Sequence, residues 1–288
     1  MFPKLVASDL DGTLLRPDAT VSPRTAAAWS RLPEIGVESV VVTARPPRWL
    51  HALEAVVGDH GVAICANGAF VYDVPGRTVR QAHPIEHAQV LEIAEVLRGS
   101  FPGIGFMAEL ATGVHMEPDY PGADTEWLPE VGVEWLPDGS VRAPVEELDP
   151  NAVVGKLLAR REVLDDERFV SAVSRVLGDR AVVAQSHHGG PAEISAPGVT
   201  KASGLQHWCD SLGIDATEVW AFGDMPNDLP MLRWAGTSYA MANGHPDVIA
   251  AADRLCDSNA EDGVARVLET LQPGSGGSAQ ADDARSRP

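Results

Sequence analysis

The chain has 288 residues, 44% of them hydrophobic, enough to bury a sizeable core in one large domain or two smaller ones. Its formal net charge of −19 repels polyanions, which counts against nucleic acid and against an anionic membrane surface as partners unless a local basic patch intervenes. Three cysteines, Cys65, Cys209 and Cys256, stand far apart with no CxxC spacing, and no apolar run reaches membrane-spanning length, so a reduced, cytoplasmic protein is expected.

Short β-rich runs alternate with segments of helical period, the pattern of a parallel sheet with crossover helices. Leu5 to Leu10 predicts the first strand, and the N-terminus runs into it without the regions of a signal peptide. Ser22-Pro23, an N-cap followed by proline at the first helical position, opens a helix through Trp29 to Leu32, with Gly36 past its end. Ser39 to Thr43 is an unbroken apolar run, a strand buried on both faces. A helix from about Pro47 to Val57 and a strand at Val62 to Cys65 follow, ending in the turn signal Asn67-Gly68.

From about Ala82 to Gly190 the character changes. This stretch holds a helical pattern (Glu86 to Leu97), a Pro- and Gly-rich middle, a strand-like "AVVGKLLARRE", a helix near Arg168 to Leu177 and a strand near Ala181 to Gln185. Its middle is acidic, with Glu109, Glu117, Asp119, Asp124, Glu126, Glu130 and Glu134. It reads as an inserted α+β module at 83–189, dividing a core at 1–82 and 190–272. After it come a helix from Lys201 to Leu212 closed by Gly213, a strand at Glu218 to Phe222, a helix from Leu229 to Trp234, and strands near Ser238 to Met241 and Arg254 to Cys256. The Gly- and Ser-rich end, 273–288, has no apolar periodicity and is expected to be disordered.

Ligands of an open parallel sheet bind at the carboxyl ends of its strands. Those ends carry Asp9 and Asp11, then Thr43 and Arg45, then Asp224, Asn227 and Asp228, with Lys201 at the start of the helix before the last of these strands. Clustered carboxylates repel one another unless a hard cation neutralises them, and oxygen donors without soft ligands favour Mg²⁺. A lysine, an arginine and a hydroxyl beside such a metal suit a phosphoryl group, so an acidic protein can still hold a phosphate.

In order, Asp9-Leu-Asp11-Gly-Thr-Leu14, Thr43, Lys201 and Gly223-Asp224-Met-Pro-Asn227-Asp228 resemble the four motifs of the haloacid dehalogenase-like superfamily. The large insertion, with "ANGAFVYD", "AEISAPGVTKASGL" and "DSNAEDGVA", is similar to its Cof-like branch. The resemblance covers all but the last fifteen or so residues. It implies an α/β fold, a Rossmann-like core with a parallel sheet plus an inserted α+β cap of type IIB. It also implies a Mg²⁺-dependent phosphatase of small phosphorylated metabolites such as sugar phosphates or cofactor- and nucleotide-like phosphates. Asp9 would be the nucleophile and a metal ligand. Asp11 would be the acid and base, its carbonyl a second metal ligand, and Asp224 a third. Thr43, Ala44, Arg45, Lys201 and Asn227 would hold the phosphate, with Gly12 allowing the turn and Asp228 supporting. Two departures stand out: Ala44 replaces a usual glycine, and Pro226 removes an amide before Asn227.

Other readings stay open. Arg45 fits a phosphate contact or a structural ion pair equally. His187-His188 would point to opposite faces of a strand and makes a poor metal pair. Trp29, Trp208, Trp220 and Trp234 read as packing; Trp127 and Trp135 line the substrate face or build the cap's own core. The cap's acids read as a solvated surface, with one or two open to a role in binding sugar hydroxyls, and Lys156 reads as a snorkelling surface lysine ahead of a lysine that points at the substrate. A phosphomutase acting on a sugar phosphate and a non-catalytic phosphometabolite-binding protein are the rival functions. A monomer or small homo-oligomer is expected.

Overall fold

The computed structural model describes residues 2–51, 53, 60–121, 139–161, 166–186 and 189–272. The tail at 273–288, Asp124, Glu126, Glu130, Glu134, Trp127, Trp135, the pair His187-His188 and most of the far end of the helix expected after Pro47 lie outside these residues.

The chain opens with β1 (Leu5–Ser8), helix α1 (Pro23–Ser30), β2 (Glu38–Val42) and β3 (Val62–Cys65). Ser22 caps α1 by accepting from the Thr25 amide at 3.0 Å, and Pro23 fills a first-turn position whose N–H would have no helical partner. At the start of the helix predicted over Pro47 to Val57 the described residues form a 3₁₀ turn, Pro47–Trp49, in which Trp49 and Leu50 donate to the carbonyls of Pro46 and Pro47 three residues back; most of the rest of that stretch lies outside the described residues. A hairpin of β4 (Phe70–Asp73) and β5 (Thr78–Ala82), which the apolar pattern does not predict, extends the sheet.

Helix α2 (His87–Ser100) begins a second layered unit. It continues with β6 (Gly105–Leu110), β7 (Gly113–Met116), β8 (Val141–Arg142), β9 (Val154–Arg160), α3 (Asp166–Leu177), β10 (Val182–Ala184) and β11 (Ala192–Ser195). The chain then returns with α4 (Lys201–Leu212), β12 (Val219–Gly223), α5 (Leu229–Trp234), β13 (Thr237–Met241), α6 (Pro246–Ala251), β14 (Arg254–Cys256) and α7 (Gly263–Leu268). Among the described residues no helix is long and apolar enough to cross a membrane.

Two sheets result. The eight-stranded one has the order β14-β13-β12-β1-β2-β3-β4-β5, parallel from β14 to β3 and antiparallel over the hairpin. Successive strands run outward from β1 through β2 and β3 on one side, and from β12 through β13 and β14 on the other. The gap between β1 and β12 is thus the switch point of the sheet, where a crevice opens at the strand ends. The six-stranded sheet has the order β10-β11-β9-β6-β7-β8 and is antiparallel apart from β7 with β8. Because it includes β11, this sheet reaches past the expected boundary at 189/190. Glu193 interrupts an apolar run there and hides which sheet the strand joins.

Both faces of the large sheet are buried. Leu5, Ala7, Val40, Val42, Ile64 and Ala221 pack on Leu205 and Cys209 of α4 and on Met231 and Leu232 of α5. Val6, Val41, Ala63, Cys65 and Phe222 pack with α1 and α7 through Ala28, Trp29, Val264 and Leu268. Each such large side chain contributes about 1.5–3 kcal/mol on leaving water. The cap sheet turns Phe106, Ala108, Leu157 and Ile194 to α2 and α3. By strand alternation its other face carries Met107, Glu109, Lys156, Leu158 and Glu193. Two of the cap's acids are therefore not solvated as expected: Glu109 and Glu117 are buried. Glu117 accepts from the Phe106 amide at 2.9 Å and pairs with Arg98. Glu109 pairs with Arg48 at 2.9 Å.

Candidate active site

In the sheet, Ser8 of β1 is level with Phe222 of β12 and Val41 of β2. Asp9, Thr43 and Asp224 therefore leave their strands within two residues of one another at the switch point. Asp9, Asp224 and Asp228 bring carboxylate oxygens within 4.8 Å of each other, and all three are buried. Lys201 is the cation among them. Its Nζ donates to Asp9 Oδ1 at 2.5 Å and to Asp228 Oδ1 at 2.6 Å. The side chain sits at the first turn of α4, where the helix dipole disfavours a cation. The helix is held there by a capping box in which the Thr200 hydroxyl accepts from the Ser203 amide and the Ser203 hydroxyl from the Thr200 amide.

Three acids around one ammonium leave the cluster short of positive charge. Burial pushes Asp9 well above the ordinary carboxylate range; Lys201 opposes the rise, and Asp228 and Asp224 add to it. Asp224 is pushed up to about 7, by burial first and by Asp228 second. Burial alone would lower the Lys201 ammonium, but Asp228 and Asp9 hold it above its usual value, so it stays charged.

The Leu10–Leu14 turn after Asp9 is wide, with the Leu14 and Leu15 amides donating to the carbonyls of Asp9 and Leu10 five residues back. Gly12 is essential to it: φ is +82°, and a Cβ there would lie 2.2 Å from Asp224 Oδ2. Thr13 Oγ1 donates to Asp224 Oδ1 at 2.8 Å. Asp228 Oδ2 accepts from the amides of Asp224 and Met225, both at 3.0 Å, so both its oxygens are committed and it supports its neighbours from behind.

Asp11 stands apart. Its side chain is 52% exposed, and Arg45 grips it at two points, Nε to Oδ2 at 2.8 Å and Nη2 to Oδ1 at 2.6 Å. Arg45 thus makes an ion pair with a neighbouring acid, one of its two readings. Arg45 also donates its amide to Thr43 Oγ1 at 3.1 Å, closing a tight loop around Ala44.

Asn227 follows Pro226 in a 3₁₀ turn, and its Nδ2 donates to Asn67 Oδ1 at 3.2 Å. Asn67 in turn donates to Glu193 Oε2 at 2.7 Å. Lys156, read from sequence as a surface lysine, is 5% exposed and donates to Ala44 O and Glu193 Oε2, both at 2.8 Å. It is buried because Glu109 lies opposite it in β6 and Glu193 reaches across from β11. Sequence reasoning thus passes over Asn67 and Glu193 as parts of the site and ranks a place there for Lys156 second. Asn67 and Glu193 lie inside "ANGAFVYD" and "AEISAPG", which is the signal that marks them. The Asn67 turn sits hard against α4: a Cβ on Gly68 would be 2.1 Å from Thr200 O, and one on Gly204 2.8 Å from Gly68 Cα.

All the donors of the buried cluster are carboxylate oxygens, which fits a hard divalent cation. Oδ2 of Asp9 and Oδ2 of Asp224 accept no hydrogen bond from the described residues, and a cation would offset the excess negative charge.

A family profile described as haloacid dehalogenase-like hydrolase matches residues 6–268. The chain is 29% identical over 271 residues to pyridoxal phosphate phosphatase YbhA of Escherichia coli, covering 93% of this chain and 98% of that protein. It is 29% identical over 272 residues to 5-amino-6-(5-phospho-D-ribitylamino)uracil phosphatase YitU of Bacillus subtilis, covering 93% and 97%. The solved subclass IIB sugar phosphatase BT4131 superposes with a TM-score of 0.75 at 22% identity, covering 92% of this chain and 98% of that one. That likeness is one of fold, a Rossmann-like core with a cap.

Proposed function

The chain belongs to the haloacid dehalogenase-like hydrolases, as a phosphoric monoester hydrolase, and from that premise we propose that it forms an aspartyl-phosphate on Asp9 with Mg²⁺ beside it. The observation that carries this reading is the split between two carboxylates one residue apart. Asp9 is buried on Lys201 at 2.5 Å, and Asp11 is half exposed on Arg45 at 2.6 Å. A nucleophile and a proton carrier need different surroundings; Asp9 would need the cation beside it to offset the burial that raises its pKa, and Asp11 would release Arg45 as it takes up a proton.

In the proposed cycle an Asp9 oxygen attacks phosphorus, the bond from phosphorus to the leaving oxygen breaks, and Asp11 gives that oxygen its proton. Water then attacks the same phosphorus while Asp11 takes a proton from it; the bond to Asp9 breaks and inorganic phosphate leaves. Lys201, Thr43, the Ala44–Arg45 backbone and Asn227 hold the phosphate oxygens. Arg45 aims Asp11, and Asp228 fixes Lys201. Asp9, Asp224 and the Asp11 carbonyl would hold Mg²⁺, which supplies charge neutralisation as phosphate meets the carboxylates.

Small phosphorylated metabolites are the proposed substrates. The named activities of the relatives, on pyridoxal phosphate and on a phosphoribitylamino-uracil, support that class. The test is release of inorganic phosphate from a panel of sugar, cofactor and nucleotide monophosphates. Turnover with Mg²⁺, its loss in EDTA and its return on adding Mg²⁺ are expected. Full activity in EDTA, or isomer formation without phosphate release, would overturn the reading.

A further inference from the structure

Glu193 and Lys156 lie in mid-strand on the cap sheet, yet both contact the core beside the proposed phosphate cradle. Lys156 Nζ reaches the Ala44 carbonyl at 2.8 Å, inside the loop between Thr43 and Arg45. Glu193 Oε2 accepts from Lys156 at 2.8 Å and from Asn67 at 2.7 Å, and its Oε1 accepts from the Ser186 hydroxyl. Glu193 and Lys156 are each buried to more than nine-tenths.

We propose that Glu193 and Lys156 are positioning residues through which the closed cap sets the phosphate cradle. Glu193 acts through Asn67 on the carboxamide of Asn227, and Lys156 acts on the Ala44 carbonyl. The inference rests on the reading of Asn227 and the Thr43–Arg45 loop as phosphate holders.

The orientation follows from donor and acceptor chemistry alone. A carboxylate only accepts, so Asn67 must turn its NH₂ to Glu193. Its carbonyl oxygen then faces Asn227, and since that oxygen too only accepts, Asn227 must turn its NH₂ toward Asn67. One Asn227 N–H is spent on Asn67 at 3.2 Å, and the other remains as a donor for an anion. The arrangement leaves Asn227 Oδ1 buried with no partner among the described residues, which costs roughly 1–3 kcal/mol. An amide free to choose would rotate; the chain from Glu193 prevents it. Withdrawal of the cap removes the carboxylate and the ammonium together, and the two asparagines lose the group that fixes their direction.

Glu193→Gln keeps the shape and gives Asn67 a partner that can either donate or accept. Groups that orient a ligand-binding side chain from behind are worth roughly 10–100-fold. The expected result with p-nitrophenyl phosphate and Mg²⁺ is a fall of that size in kcat/KM, with a matching loss of inorganic phosphate affinity and no change in the Mg²⁺ concentration for half-activation. Inorganic phosphate is also followed by its stabilisation of the fold against heat, a readout that needs no turnover. Asn67→Ala should produce a similar loss, and the double variant should lose no more than Asn67→Ala alone, because Glu193 acts through Asn67. Asn67→Ala also serves if Glu193→Gln fails to fold. Unchanged phosphate binding in folded Glu193→Gln or Asn67→Ala would overturn the inference, as would losses that simply add. Neither result touches the phosphatase reading, which stands or falls on Mg²⁺-dependent phosphate release by the unaltered protein.

Discussion

The strand ends of the core and the inner face of the cap sheet both bury acids beside cations, in different balance. In the core, Asp9, Asp224 and Asp228 surround Lys201, three charges against one. On the cap face, among the described residues, Glu109 pairs with Arg48 and Glu193 with Lys156. The uncompensated charge lies where a metal and a phosphate would have to meet, and the compensated pairs lie where the cap rests on the core. An imbalance held at a cost in stability points to chemistry; a balance points to geometry.

The largest effect expected from breaking this contrast is in the core. Asp9→Asn should lower phosphate release by on the order of 10⁴-fold or more, with the fold intact by circular dichroism. Activity near that of the unaltered chain would mean the excess charge serves no nucleophile. On the balanced side, Lys156→Met removes the buried ammonium that donates to Glu193 at 2.8 Å and should lower stability by about 3–5 kcal/mol in urea. Lys156→Met combined with Glu193→Gln should regain part of it, since both charges of the pair are then gone.

Asp224→Asn should have the opposite sign. An acid whose folded pKa lies at about 7 against 3.8 unfolded binds its proton more tightly in the native state. Its effect on stability is absent below about pH 4 and turns into a growing penalty as pH rises to about 7. In EDTA at pH 8, Asp224→Asn is therefore expected to melt higher than the unaltered chain while losing activity. For the unaltered chain the rise in Tm on adding Mg²⁺ should be larger at pH 8 than at pH 5, because a protonated carboxyl gives up its place as a ligand. Equal shifts at both pH values would separate the metal from this cluster. The smallest effect is expected at Arg45→Lys, which keeps the charge and loses the two-point grip on Asp11. It should lower kcat by roughly tenfold or less and leave Tm unchanged.

The core site is legible in the amino-acid sequence because parallel strands gather it. Asp9, Asp11, Thr43, Asp224 and Asn227 all lie within a few residues of a strand's carboxyl end, and each short motif carries its own turn. Lys156 is harder to read for the complementary reason. Its partners Ala44 and Glu193 are 112 and 37 residues away; the register of an antiparallel sheet brings Glu193 beside it, and the seating of the cap on the core brings Ala44. The same register buries Glu109, which composition alone assigns to solvent. The strands β6 and β7 are hidden by the glycines that open them, Gly105 and Gly113, and the turn at Pro47–Trp49 by an apolar pattern that also fits a helix.

Gly68 and Gly204 leave no room between the Asn67 turn and the helix that begins at Lys201. Those two pieces consequently move as one body, and any side chain wedged into the seam displaces an amide donor and the central cation at once. Adaptation to a new leaving group has little room to work here. A library randomised at these two positions should empty of active clones although no reactive group has been altered, while the same library spread over the cap's inner strands, with Glu109, Lys156 and Glu193 kept, retains its chemistry and changes its preferences.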